Sequence, residues 1–111
     1  MTKSLLVLTH GNLVMDRLAQ RVAVDGHPVH ITTCEYLLLE HLLLNRGTVC
    51  QRVDLHKLFR EPSVPFTTGL GGNIVDVYIA SLRSKLGAGL IRTIRGQGYT
   101  IDSEVLSDDL G

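Results

Sequence analysis

The sequence predicts an α+β domain in which an N-terminal antiparallel sheet is followed by three helices and a C-terminal β-hairpin. Three observations predict this order. Short apolar runs separated by turn residues fill the first thirty positions, and helical apolar spacing recurs in three later segments. Two β-branched runs, joined by the turn residues Arg95–Gly98, come last.

The composition is that of a single globular domain. The chain has 111 residues, of which 44% are hydrophobic and 20% charged, enough for one core. No apolar run approaches the roughly 20 residues of a membrane span, and the first residues do not resemble a signal peptide. Cys34 and Cys50 make no disulfide framework. We therefore expect a cytoplasmic protein with reduced thiols and no membrane contact.

The formal net charge is zero, but the charge is unevenly distributed. Four of the eleven acidic residues follow Ile101, so residues 1–101 carry eleven basic and seven acidic groups. Within residues 73–101, Asp76 alone opposes four basic side chains: Arg83, Lys85, Arg92 and Arg95. This local basic excess suits a surface that faces phosphates.

The first thirty residues predict a sheet of up to four strands. Leu5–Leu8, Leu13–Met15, Val22–Val24 and Val29–Ile31 are the apolar runs. The Asp25-Gly26 dipeptide between the last two runs is a strong hairpin signal, because both residue types tolerate the backbone angles of a tight turn.

Two helices are predicted next. Thr32 and Glu35 form a capping box at the start of the first helix, which ends near residues 45–47. The second helix spans about residues 52–59. Its apolar positions are Val53, Leu55, Leu58 and Phe59.

The third helix follows an irregular loop rich in proline and glycine at residues 61–72. Its apolar residues recur at helical spacing (Val75, Ile79, Leu82 and Leu86), and Gly87 and Gly89 end it. The hairpin strands are residues 91–94 and 99–101. We predict one domain over residues 1–101 and an acidic, flexible tail over residues 102–111.

A helix followed by a basic hairpin is how winged-helix proteins hold DNA. Four motifs occur here in order: Val29–Leu39 (VHITTCEYLLL), Gly47–Leu58, Val75–Leu86 (VDVYIASLRSKL) and Ile91–Tyr99 (IRTIRGQGY). Together they resemble the C-terminal effector domain of OmpR/PhoB-type response regulators, over about residues 11–101. The resemblance implies a winged helix-turn-helix that regulates transcription, with the recognition helix (about 73–86) in the major groove and the wing (about 91–101) on the backbone or minor groove.

The resemblance also implies which residues contact DNA. In the recognition helix they are Asn73, Val77, Ala80, Ser81 and Ser84, bordered by Tyr78, Arg83 and Lys85, and in the wing Thr93, Arg95 and Tyr99. The helix face contains no arginine, which predicts weak or A·T-leaning direct readout, or reliance on DNA shape. The alternatives are a solvated or protein-docking face, an ion pair of Arg83 with Asp76, and a core position for Tyr99.

The family further implies tandem or paired half-sites on double-stranded DNA and a receiver domain in the full-length protein. No receiver unit is present in this sequence, so we expect an excised output half, with a natural stand-alone regulator as the alternative. The equivalent of loop 61–72 meets RNA polymerase in the family, which makes Phe66 and Leu70 candidate contacts. A passive connector is the alternative for this loop.

An enzyme is the least favoured class. The five histidines and two cysteines lack metal-ligand spacing, and no nucleophile is paired with a base. We expect no catalytic residues, no metal and no cofactor. The main rival is a winged helix used only for protein contacts, and a nucleoid-type binder is a further alternative. The rival gains if the cluster of Arg83, Lys85, Arg92 and Arg95 is dispersed or paired internally.

Overall fold

The computed structural model describes residues 6–59 and 74–103. Within them the predicted α+β order is confirmed: an N-terminal antiparallel sheet, helices, and a C-terminal hairpin. Asn73 and the loop 61–72, with Phe66 and Leu70, lie outside the described residues. The elements are β1 (Val7–His10), β2 (Leu13–Asp16), β3 (Arg21–Val24), β4 (His27–Val29), α1 (Thr33–Leu44), β5 (Cys50–Gln51), α2 (Arg52–His56), α3 (Ile74–Leu86), β6 (Arg92–Ile94) and β7 (Gly98–Thr100).

The N-terminal sheet is a meander in the order β1-β2-β3-β4, with all neighbouring strands antiparallel. Leu8, Met15 and Val22 are register partners across three strands, and all three are buried. Because side chains alternate along a strand, Val14 points to the opposite face and is exposed. The predicted Asp25-Gly26 turn joins β3 to β4, so four strands form as expected.

The capping box at the start of α1 is confirmed. The Thr32 hydroxyl accepts a hydrogen bond from the Glu35 N–H at 3.3 Å, and the Glu35 carboxylate accepts one from the Thr32 N–H at 2.9 Å. The helix ends at Leu44, close to the predicted stop. Its apolar residues pack against α3 in the core. Those fully buried are Leu38, Leu39, Leu42 and Leu43.

The second helix is shorter than predicted. α2 ends at His56, and a 3₁₀ turn continues it over Lys57–Phe59. Of its four predicted apolar positions, Val53 is not part of the core, because it is 59% exposed. At 100° per residue, Val53 lies about 200° from Leu55, the residue that α2 buries, so it points away from the core.

The hairpin is part of a three-stranded sheet, and its third strand was not expected from the sequence. The predicted hairpin strands form as β6 and β7, and the two-residue strand β5 pairs with β7 to give the order β5-β7-β6. A strand this short has no periodicity to detect. It places the start of α2 beside the wing, since Arg52 follows β5 directly.

The end of the described chain stays close to the domain. Asp102, assigned by sequence to the acidic tail, binds Arg92 of β6 at 2.7 Å, while residues 104–111 lie outside the described residues. No helix in residues 6–59 or 74–103 is both long and apolar enough to cross a membrane.

Candidate nucleic-acid interface

The helix α3 presents one face to the core and another to solvent. Val75, Ile79 and Leu82 are buried at the predicted helical spacing, and Leu86 is packed against them. On the outward side, Val77 is 58% exposed. Ala80 and Ser84 are also exposed, which places them on the face predicted from the sequence.

Two α3 residues that were predicted to contact DNA, Ser81 and Lys85, bind a buried carboxylate. Glu35 of α1 is only 3% exposed, and it accepts hydrogen bonds from the Ser81 hydroxyl and from the Lys85 ammonium, the latter at 2.6 Å. Burial alone would raise the pKa of the Glu35 carboxyl. The hydrogen bonds from Lys85, Ser81 and the Thr32 N–H outweigh burial and hold that pKa below its usual value. Glu35 is therefore an anion that fixes α3 against the start of α1.

A second network joins α2, α3 and the wing around Tyr99. The Tyr99 hydroxyl donates to Asp76, which also binds the Arg52 guanidinium at 3.1 Å. The guanidinium carbons of Arg52 and Arg83 lie 5.8 and 5.7 Å from the centre of the Tyr99 ring, within the range of cation–π attraction. Burial and the bond to Asp76 raise the pKa of Tyr99, so the phenol stays protonated and donates.

The recognition helix is tied to the wing by Arg83. Its guanidinium donates to the Ile91 carbonyl at 2.7 Å and to the Thr93 hydroxyl at 2.8 Å. The alternative of an Arg83–Asp76 ion pair is not what the structure shows, since the basic partner of Asp76 is Arg52. Of the two positions weighed for Tyr99, the ring takes the core position, at 5% exposed.

The wing turn presents Arg95 to solvent. Arg95 is exposed next to Gly96, and within residues 6–59 and 74–103 it has no ion-pair or hydrogen-bond partner. Arg92, by contrast, is paired with Asp102. Three of the four clustered basic residues are thus engaged inside the domain. Taken alone, that pairing favours the protein-contact rival.

Tyr78 borders the outward face but is half-buried. Its ring lies 5.2 Å from that of Phe59, centre to centre, and packs against the 3₁₀ turn after α2. The pKa of Tyr78 is raised, mainly by a hydrogen bond with Cys34 and to a smaller extent by burial. Among the described residues, no cluster of histidine, cysteine or acidic side chains is placed to hold a metal ion.

Sequence reasoning missed two residues of this region. Arg52 reaches the Tyr99 network only because β5 pairs with the wing, and nothing in its local sequence indicated that pairing. Glu35 was assigned to the capping box alone, although it also binds Ser81 and Lys85, which are distant in the sequence. The sequence signal for this contact was weak: an acidic residue among the apolar positions of α1, and basic residues on α3 that could pair with it.

Comparison with known sequences identifies the fold and the family. The family described as "Transcriptional regulatory protein, C terminal" matches residues 26–101, which include α1, α3 and the wing. The chain belongs to this family. Its fold is the winged helix-turn-helix of OmpR/PhoB effector domains, as the sequence motifs predicted.

Individual members of the family agree with this assignment. The response regulator protein PmrA of Pseudomonas aeruginosa is 40% identical over 101 residues, which are 90% of this chain and 43% of PmrA. The chain therefore spans less than half of that relative. DrrB, a Thermotoga maritima response regulator described as an OmpR/PhoB homologue, superimposes with a TM-score of 0.76 at 26% identity, covering 88% of this chain and 45% of DrrB.

Some of the similar structures were solved with DNA. The DNA-binding domain of Klebsiella pneumoniae RstA, solved in complex with the RstA box, superimposes with a TM-score of 0.71 at 26% identity. The alignment covers 86% of this chain and 96% of the RstA chain.

Proposed function

We propose that this chain is the DNA-binding output domain of a two-component response regulator, with α3 in the major groove and the wing on the backbone or minor groove. The observation that carries the proposal is the bond network of Arg83. It fixes the wing strand that leads to the exposed Arg95 against α3, next to the outward face of the helix. Membership of the family, and the DNA complex of the similar RstA domain, support the same function.

The basic residues divide into two roles under this proposal. Arg95 supplies an unneutralised charge for the DNA backbone or minor groove, where positive charge gives affinity without reading sequence. The exposed Arg52 and the partly exposed Arg83 both contact the Tyr99 ring by cation–π attraction. Each still has guanidinium N–H groups that can donate to phosphates. Tyr99 acts here as a positioning residue, because its hydroxyl donates its hydrogen bond to Asp76.

Binding is expected to follow the electrostatic rules of phosphate contacts. Arg95→Ala should weaken binding to every duplex alike and flatten the plot of log affinity against log salt by about one unit, since one phosphate contact is lost. Fluorescence anisotropy with a labelled duplex over a series of salt concentrations measures both effects.

Arg21→Ala is the matched control, because Arg21 is an exposed arginine on β3 of the other sheet. It should leave the salt slope unchanged. An equal slope for the wild type and Arg95→Ala would remove Arg95 from the interface.

Larger assemblies are a further part of the proposal. We propose that the full-length protein carries a receiver domain and binds tandem or paired half-sites, as the resemblance implies, and that loop 61–72 with Phe66 and Leu70 contacts RNA polymerase. We also propose that the DNA-binding domain ends near residue 101.

A protein-interaction winged helix is the second candidate function. It is favoured by the pairing of Lys85 with Glu35 and of Arg92 with Asp102, which reduces the positive charge available to DNA. Absence of salt-dependent duplex binding would favour this candidate.

A further inference from the structure

The outward face of α3 differs in chemistry from its surroundings. All three charged side chains of α3 are bound to other elements: Asp76 to Arg52 and Tyr99, Arg83 to the wing, and Lys85 to Glu35. The Ser81 hydroxyl proton is also donated to Glu35. Besides Lys85, whose ammonium is bound to Glu35, the exposed residues of α3 are the apolar pair Val77 and Ala80 and the neighbouring Ser84.

Val77 and Ala80 lie three residues apart, so their side chains are neighbours on one face of the helix. In the major groove, three of the four bases present only hydrogen-bonding groups, whereas thymine adds an apolar C5 methyl. The methyl groups of Val77 and Ala80 leave the polar edge of a guanine, cytosine or adenine that they cover without a hydrogen-bond partner, and they gain free energy by covering thymine methyls.

We infer that this domain reads its operator through thymine methyl groups, with Val77 and Ala80 as the specificity-determining residues. The inference rests on the proposed DNA-binding function and adds to it the class of sequence that is recognised. Affinity comes from the arginines around the helix, and selectivity comes from apolar contact within the groove.

The test begins with in vitro selection of duplexes from a randomised pool, using the intact chain. The selected duplex is resynthesised with deoxyuridine in place of each thymidine in turn, which removes one methyl group and keeps every hydrogen-bonding group. At a contacted position the affinity should fall about fourfold, the factor that corresponds to burying one methyl group. Thymidines in the flanking sequence should show no effect.

A double-mutant cycle assigns the contact to a residue. Val77→Ala should abolish the deoxyuridine effect at the thymine that it covers and leave the effect at other positions intact. Val14→Ala is the matched control, because Val14 is an exposed valine on the N-terminal sheet, and it should change nothing. Replacing a contacted T·A pair by 5-methylcytosine·G should retain more affinity than unmodified C·G.

The outcomes separate the two proposals. Selective, salt-dependent binding that is insensitive to deoxyuridine would overturn the methyl readout and leave DNA binding intact. Failure to bind any duplex, even at low salt, would overturn both. Loss of affinity on deoxyuridine substitution that persists unchanged in Val77→Ala and in Ala80→Gly would overturn the assignment of these two residues.

Discussion

Gly98→Ala is expected to destabilise the domain by about 3 kcal/mol, because an alanine side chain at this position has no space. Its Cβ would lie 2.9 Å from both the carbonyl carbon of Cys50 and the Cα of Gln51, and closer still to the Cys50 carbonyl oxygen. These are backbone atoms of β5 and cannot swing aside. β5 would therefore have to separate from β7, which also disturbs Tyr99, the register partner of Cys50.

Gly96→Ala provides the matched control in the same wing. A Cβ at Gly96 meets no atom within 4 Å, and the only cost is the positive φ of +74°, about 1 kcal/mol. Urea unfolding followed by circular dichroism measures both variants. Similar losses for the two glycines would show that β5 is not held against the wing as described.

Glu35→Gln is expected to cost about 2 kcal/mol at neutral pH. The substitution removes the charge that accepts hydrogen bonds from Lys85, Ser81 and the Thr32 N–H, and charge-assisted bonds in a buried site are the strong ones. The figure lies below that for breaking a fully buried pair because the side chain of Lys85 is 30% exposed. In the Glu35→Gln background, Lys85→Met should have little further effect.

The same carboxylate gives the stability a predictable pH dependence. Because the folded-state pKa of Glu35 is lowered, its contribution is complete above the pKa of an unfolded glutamate, about 4.3, and is lost as the pH falls from there through the folded-state pKa. The free-energy difference between wild type and Glu35→Gln should therefore shrink on acidification through this window. A constant difference would show that Glu35 is not ionised in the fold.

Asp102→Asn is the control for this titration. Its partner Arg92 also lowers the pKa of Asp102 through a hydrogen bond. Both side chains of that pair are largely exposed, so the loss of stability should be much smaller than for Glu35.

Local chemistry explains which parts of the fold were predictable. The capping box of Thr32 and Glu35, the Asp25-Gly26 turn and the apolar spacing of α3 depend on residues within a few positions of one another. The four motifs then identified the family, which supplied the topology.

The features that were missed depend on contacts between distant residues. The bonds of Ser81 and Lys85 to Glu35 were not predicted, because helical spacing fixes the direction of a side chain but not its partner, and Glu35 lies on another helix. β5 forms only because the wing provides a strand for it to pair with. The exposure of Val53 was not predicted, because its residue type is apolar and only the orientation of the short α2 turns it outward.

An NMR titration of the isotopically labelled chain tests directly whether α3 and the wing together form a DNA-binding surface. A short duplex of mixed sequence is added at low and at moderate salt. We expect salt-sensitive shifts concentrated in residues 74–85 and 92–99, with the N-terminal sheet unaffected. Absence of shifts at low salt, or shifts confined to the N-terminal sheet, would contradict this expectation.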